Sequence, residues 1–188
     1  MYSQELNISS SYNTLLLVYT LLVKIGGITY LSFTLFSIIN IDNMSLVIKH
    51  TFQTSPEKIW KALTDKDSMK VWYFNLSEFK AQTGFEFSFY GQGAKGDPYL
   101  HLCKVQDVID YKKLSYSWCY KDIDGKSVVS FDLQQDNEFT TVILTHEGLE
   151  TFPKDNPDFA VESFKQGWTY ILCTSLKNYI ENTELHER

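Results

Sequence analysis

Histidine is the side chain best suited to moving protons near neutral pH, and this sequence carries four: His50, His101, His146 and His186. No two of them fall at metal-ligand spacing, so no metal site is expected. His146 stands apart. In TTVILTHEGL it alternates with Val142 and Leu144, which puts it on the apolar face of a strand. There it either offers a polar group to an apolar cavity, orienting a ligand or acting as an acid/base, or is satisfied by a neighbouring hydroxyl or carbonyl; the second is favoured. Glu147 and Glu150 are close enough to form a carboxylate pair, but adjacent acids in a loop are ordinarily just solvated. No Ser-His-Asp or Cys-His arrangement emerges from the spacing.

GQGAKG, residues 91–96, formally matches GxGxxG after a strand. Asp97-Pro98 and another strand follow, so no helix N-terminus is available to hold a pyrophosphate. A mobile loop at the mouth of a cavity is the better reading, and no cofactor is expected. Cys103, Cys119 and Cys173 are odd in number and widely spaced, without CxxC, so they predict neither a zinc site nor a disulfide framework. A net charge of −6 without a Lys/Arg cluster argues against nucleic-acid binding.

Aromatic residues make up 15 % of the chain, with thirteen Phe, twelve Tyr and four Trp. Rings in such number build a thick core or line an apolar pocket. The best pocket candidates are Trp72 from a helix, Phe87, Tyr116, Trp118 and Phe131 from strands, and Trp168 and Leu172 from the last helix. Tyr116, Tyr120 or His146 would supply the polar contacts.

These residues need elements to position them. Ser45 to Phe52 reads as a strand. Ser55 then caps a helix with Pro56 at its first position, burying Ile59, Trp60 and Leu63. Ser68 to Tyr73 gives a second short helix. From Gly84 the period changes to two: FEFSFY, Tyr99 to Ile109, LSYSWCY, VVSFDLQQ and FTTVILTHEGL are strands joined by short turns, with Asp124-Gly125 a hairpin signal. A long helix, about Phe159 to Asn182, carries an apolar stripe of Phe164, Trp168, Leu172, Cys173, Leu176, Tyr179 and Ile180. The expected class is α+β, a curved antiparallel sheet wrapped around a long C-terminal helix, with two short helices after the first strand and a cleft between sheet and helix.

The succession SPEKIWKALTD, VWYF, GFEF, LSYSW, TTVILTHEGL and FKQGWTYIL resembles the START-like, or SRPBCC, superfamily. More narrowly it is similar to the domain related to the activator of heat-shock protein 90 ATPase, over about Leu46 to Ile180. The resemblance implies a helix-grip fold with a deep apolar cavity between sheet and helix. Relatives bind lipids, sterols, polyketides or hormones, and some are cyclases. The eukaryotic chaperone activator carries an additional N-terminal domain that the first forty-three residues here do not resemble, so chaperone binding is named by the family without support from residues.

The domain is expected over 44–183. Residues 1–43 form an apolar extension whose run Thr14 to Ile39 is long enough to span a bilayer, yet Lys24 interrupts it and no basic flank orients it. Three readings stay open: translation starting at Met44, a membrane anchor, or an ordinary helix on the domain. The first is favoured by the abrupt change to normally charged sequence. The protein is then expected to be cytoplasmic, to meet a membrane only if residues 1–43 belong to it, and to bind an apolar or amphipathic small molecule.

Overall fold

The computed structural model describes residues 8–11, 14–25, 28–40 and 45–186. The chain divides into two units, Met1–Asn43 and Met44–Arg188. In the first, strands β1 (Ile8–Ser11), β2 (Thr14–Ile25) and β3 (Ile28–Asn40) make an antiparallel sheet in which Leu16 pairs with Ile38 and Val23 with Tyr30. The apolar run is therefore strand rather than the helix considered above. Its β-branched and aromatic residues, on both sides of Gly26-Gly27, favour an extended backbone. No helix among the described residues is long and apolar enough to cross a membrane.

The second unit opens with β4 (Leu46–Phe52) and two short helices, α1 (Pro56–Thr64) and α2 (Lys66–Trp72). Asp65 ends the first helix and caps the second, its carboxylate accepting from the Ser68 amide at 2.8 Å. Five strands follow: β5 (Glu86–Gln92), β6 (Pro98–Ile109), β7 (Lys113–Tyr120), β8 (Ile123–Asp136) and β9 (Phe139–Glu147). They pair antiparallel in the order β4-β9-β8-β7-β6-β5. Period-two alternation sets the inner face: Phe87 and Phe89 on β5, Tyr116 and Trp118 on β7, Val129 and Phe131 on β8, Val142 and Leu144 on β9 are all buried.

The β7–β8 turn differs from the sequence expectation. Lys121-Asp122 makes it, with Asp122 at φ 60°, and Tyr120 pairs with Ile123. Asp124-Gly125 lies just inside β8 as extra residues, because the next pair along is Trp118 with Ser127. Gly125 has φ 121°, and a Cβ there would collide with the Phe152 ring. The glycine thus serves a bulge packed beneath Phe152 instead of a hairpin tip.

The C-terminal helix runs in three registers: α3 (Val161–Tyr170), π turns over Ile171–Leu176, and α4 (Lys177–His186). Phe164, Trp168, Leu172, Leu176 and Ile180 recur every four residues, and all are buried. An α-helix turns every 3.6 residues, so each step of four carries a stripe about 40° around the axis. The π turns hold more residues per turn and rotate it back toward the sheet. Cys173 and Tyr179, also assigned to the stripe, are only partly buried. The result is the helix-grip α+β architecture, with the concave sheet face closed by the long helix.

Candidate functional site

Helix and sheet do not close everywhere. A cavity of about 590 Å³ lies between the end of α2, the β5–β6 hairpin, the end of β7 and one flank of α3. Small residues leave the room. Gly167 on α3 points at open space, with nothing within 4 Å of where its Cβ would stand. Gly91 on β5 gives its place to the ring of His101, which lies 2.6 Å from that virtual Cβ. Val71 and Tyr170 stand at the mouth, 71 % and 64 % exposed.

The walls are fixed by polar ties, some to the backbone and some between side chains. Trp72 donates its indole N–H to the Ala62 carbonyl at 2.9 Å, fastening α2 to α1. Ser175 donates to the Trp72 carbonyl at 2.6 Å and Tyr179 to the Ser68 hydroxyl at 2.8 Å, fastening α2 to the long helix. The hairpin tip is pinned too. Asp158 accepts from the Ala94 amide at 3.1 Å and from the Tyr99 hydroxyl at 2.9 Å, and Gly93 donates to the Asp97 carbonyl at 2.9 Å. The GQGAKG segment is thus at the cavity mouth, as expected, but tied down where the sequence suggested a mobile loop.

Of the nine residues singled out from sequence, Trp72, Trp118, Tyr120 and Trp168 line this cavity. Phe87, Tyr116, Phe131, His146 and Leu172 are not among its lining and pack in the core behind it. Tyr116 shares a 2.9 Å hydrogen bond with the Tyr73 hydroxyl, and burial pushes both phenols far above their usual range.

His146 is fully buried and has both ring nitrogens engaged. The Trp168 indole can only donate, so its 2.9 Å contact makes Nδ1 of His146 an acceptor. Nε2 therefore carries the proton and donates to the Ser127 hydroxyl at 2.7 Å, which in turn donates to the Trp118 carbonyl at 3.1 Å. Desolvation holds the imidazole neutral, its pKa lowered to about 3. It is the satisfied histidine of the two readings above. As a proton carrier it lacks an open nitrogen.

His101 is the histidine that reaches the cavity. Its Nδ1 donates to the Tyr99 carbonyl at 3.0 Å, and its ring stacks on Phe89 at 4.4 Å and meets Tyr120 at 4.5 Å. Burial lowers its pKa to about 4 against the pull of the Tyr99 and Phe89 carbonyls. Sequence reasoning passed over it, although Tyr99, His101, Cys103 and Val105 alternate on β6 and so share its inner face. Asp158 was also missed, and nothing local could have shown it: its partner Ala94 lies 64 residues away. Glu147 and Glu150 are exposed and apart from the cavity. Trp118 has an indole N–H that is buried without a hydrogen-bond partner, the nearby Tyr120 hydroxyl falling short of bonding geometry.

Among the described residues no group of His, Cys, Asp or Glu is arranged to hold a metal ion. The three cysteines are free thiols, and burial pushes that of Cys103 well above its usual range.

Solved structures share the fold. A protein from Mesorhizobium loti is 27 % identical, with a TM-score of 0.61 over 74 % of this chain and 98 % of its own. An HSP90 activator from Plasmodium falciparum is 22 % identical, with a TM-score of 0.58 over 73 % and 96 %. The Aha1 dimer from Colwellia psychrerythraea is 22 % identical, with a TM-score of 0.55 over 72 % and 94 %. No curated protein matches the sequence. The family model described as "Activator of Hsp90 ATPase homolog 1-like protein" matches residues 53–181. With most of its length so matched, the chain belongs to that family, within the START-like (SRPBCC) superfamily.

Proposed function

We propose that the protein binds an apolar or amphipathic small molecule in the cavity between α3 and the β5–β7 end of the sheet. The observation that carries this is the cavity of about 590 Å³ walled by Trp72, Trp118, Tyr120 and Trp168, with the exposed Gly167 at its rim. A void of that size, mostly apolar and ringed by a few polar groups, is the usual form of a small-molecule site. His146 supports binding over catalysis, since its nitrogens are spent on Trp168 and Ser127. The protein would do this in the cytoplasm, which fractionation of a tagged chain checks.

Native and denaturing mass spectrometry of the full chain tests the reading. Extra mass is expected in the native spectrum alone, and a Gly167→Trp variant, which sets an indole at the cavity's rim, is expected to lose it. A bare native mass from the natural source, unchanged by added apolar compounds, would overturn it.

A second reading, contact with a chaperone, draws support from the Plasmodium falciparum relative described as an HSP90 activator. Capture of Hsp90 by wild type and by Gly167→Trp equally would favour it over the cavity.

A further inference from the structure

The cavity carries one formal charge and nothing to balance it. Asp158 is the only acid in its lining, and no Lys or Arg is present there. Both contacts to this half-buried carboxylate, the Ala94 amide and the Tyr99 hydroxyl, are neutral donors. The ion pairs found among the described residues lie elsewhere.

Three rings stand beside Asp158. Tyr99, Tyr120 and Phe159 meet edge to face, with centroids 5.8 Å apart for Tyr99–Tyr120, 5.3 Å for Tyr99–Phe159 and 4.9 Å for Tyr120–Phe159. The Asp158 carboxylate, with no cation beside it in the lining, gives this end of the cavity a negative potential. An anion entering it would shed water and find no countercharge, which is costly. A cation would find a carboxylate set in a mostly apolar wall.

Resting on the ligand-binding reading above, we propose that the cavity selects an amphipathic cation. Its apolar body would lie against Trp72, Phe74 and Trp168, and its single ammonium group would sit at Asp158 beside Tyr99, Tyr120 and Phe159. Fatty acids and other carboxylates are then poor ligands despite the apolar walls.

Three probes with one apolar body test this on the full-length protein: 9-anthracenylmethylammonium, 9-anthracenemethanol and 9-anthracenecarboxylate, titrated at pH 7 with tryptophan fluorescence as the readout. The ammonium is expected to bind about tenfold more tightly than the alcohol, in line with one charge-assisted hydrogen bond to the Asp158 carboxylate, and the carboxylate least. Asp158→Asn keeps an acceptor oxygen for the Ala94 amide and is expected to bring the ammonium down to the alcohol's affinity. The proposal is overturned if alcohol or carboxylate binds wild type as tightly as the ammonium, or if the preference survives in Asp158→Asn; ligand binding as such would still stand. If none of the three binds, both readings fall.

Discussion

Two buried histidines mark two regions of one core. His146 lies where β8 and β9 meet the long helix, with Trp168 donating to one nitrogen and Ser127 accepting from the other. His101 lies where β5 and β6 face the end of α2, against Phe89 and Tyr120, at the wall of a void. Both are charge-poor, and desolvation holds both neutral. What separates them is the helix opposite. Against His146 it presents the rings of Phe164 and Trp168; where those two rings reach the cavity, the exposed Gly167 stands beside them. The filled region stabilises the fold, and the open one leaves a void at the end of α2.

That contrast breaks hardest in the filled region. Leu172→Ala deletes a fully buried side chain and is expected to cost about 2–5 kcal/mol, read from urea denaturation. An effect under about 1 kcal/mol would mean the region is looser than it appears. Ser127→Ala keeps the shape but leaves the Nε2–H of His146 without its acceptor, for a loss of about 1–3 kcal/mol.

Acid sharpens the comparison because it acts on both regions. Each imidazole is neutral in the fold and protonates near its ordinary pKa once unfolded, so the unfolded state binds more protons below about pH 6.5. Stability is therefore fully present above that pH and falls as pH drops toward about 4 for His101 and about 3 for His146. The expected slope is about 1.4 kcal/mol per pH unit per histidine. His146→Gln should remove one histidine's share from a plot of unfolding free energy against pH; an unchanged slope would show that the carboxylates account for it.

The smallest effect belongs to the open region. Gly167→Ala adds a methyl that meets nothing within 4 Å. It should stabilise the helix by about 0.5–1 kcal/mol, visible as a small rise in Tm. A fall would place an unseen neighbour in the void.

The faces of the filled region were legible in the sequence, but its filling was not: Phe131, His146 and Leu172 were expected at a pocket and pack in the core. Alternation of Val142, Leu144 and His146 with period two, and of Phe164, Trp168 and Leu172 with period four, fixes which faces meet, because burial acts on whole faces. The open region was legible in part: Trp72, Trp118, Tyr120 and Trp168 were picked out and line it, but its place was not, because a void is defined by what is missing. Gly167 reads as a weak helix residue and Gly91 as part of a loop motif until their surroundings are known. Asp158 holds a hairpin from a loop with no periodicity at all. The bulge at Asp124-Gly125 was misread for a related reason: a glycine with positive φ suits a hairpin tip and a bulge equally, and the Phe152 ring decides between them.

The π turns at Ile171–Leu176 also bear on insertions and deletions. Such turns amount to one extra residue accommodated within an α-helix. Losing one residue there would restore a plain α-helix and keep both flanks in phase. Losing one elsewhere in the helix would swing everything beyond it by about 100°. A one-residue gap between this chain and a relative should therefore fall within 171–176, the stretch where the gripped helix can change length without losing its grip.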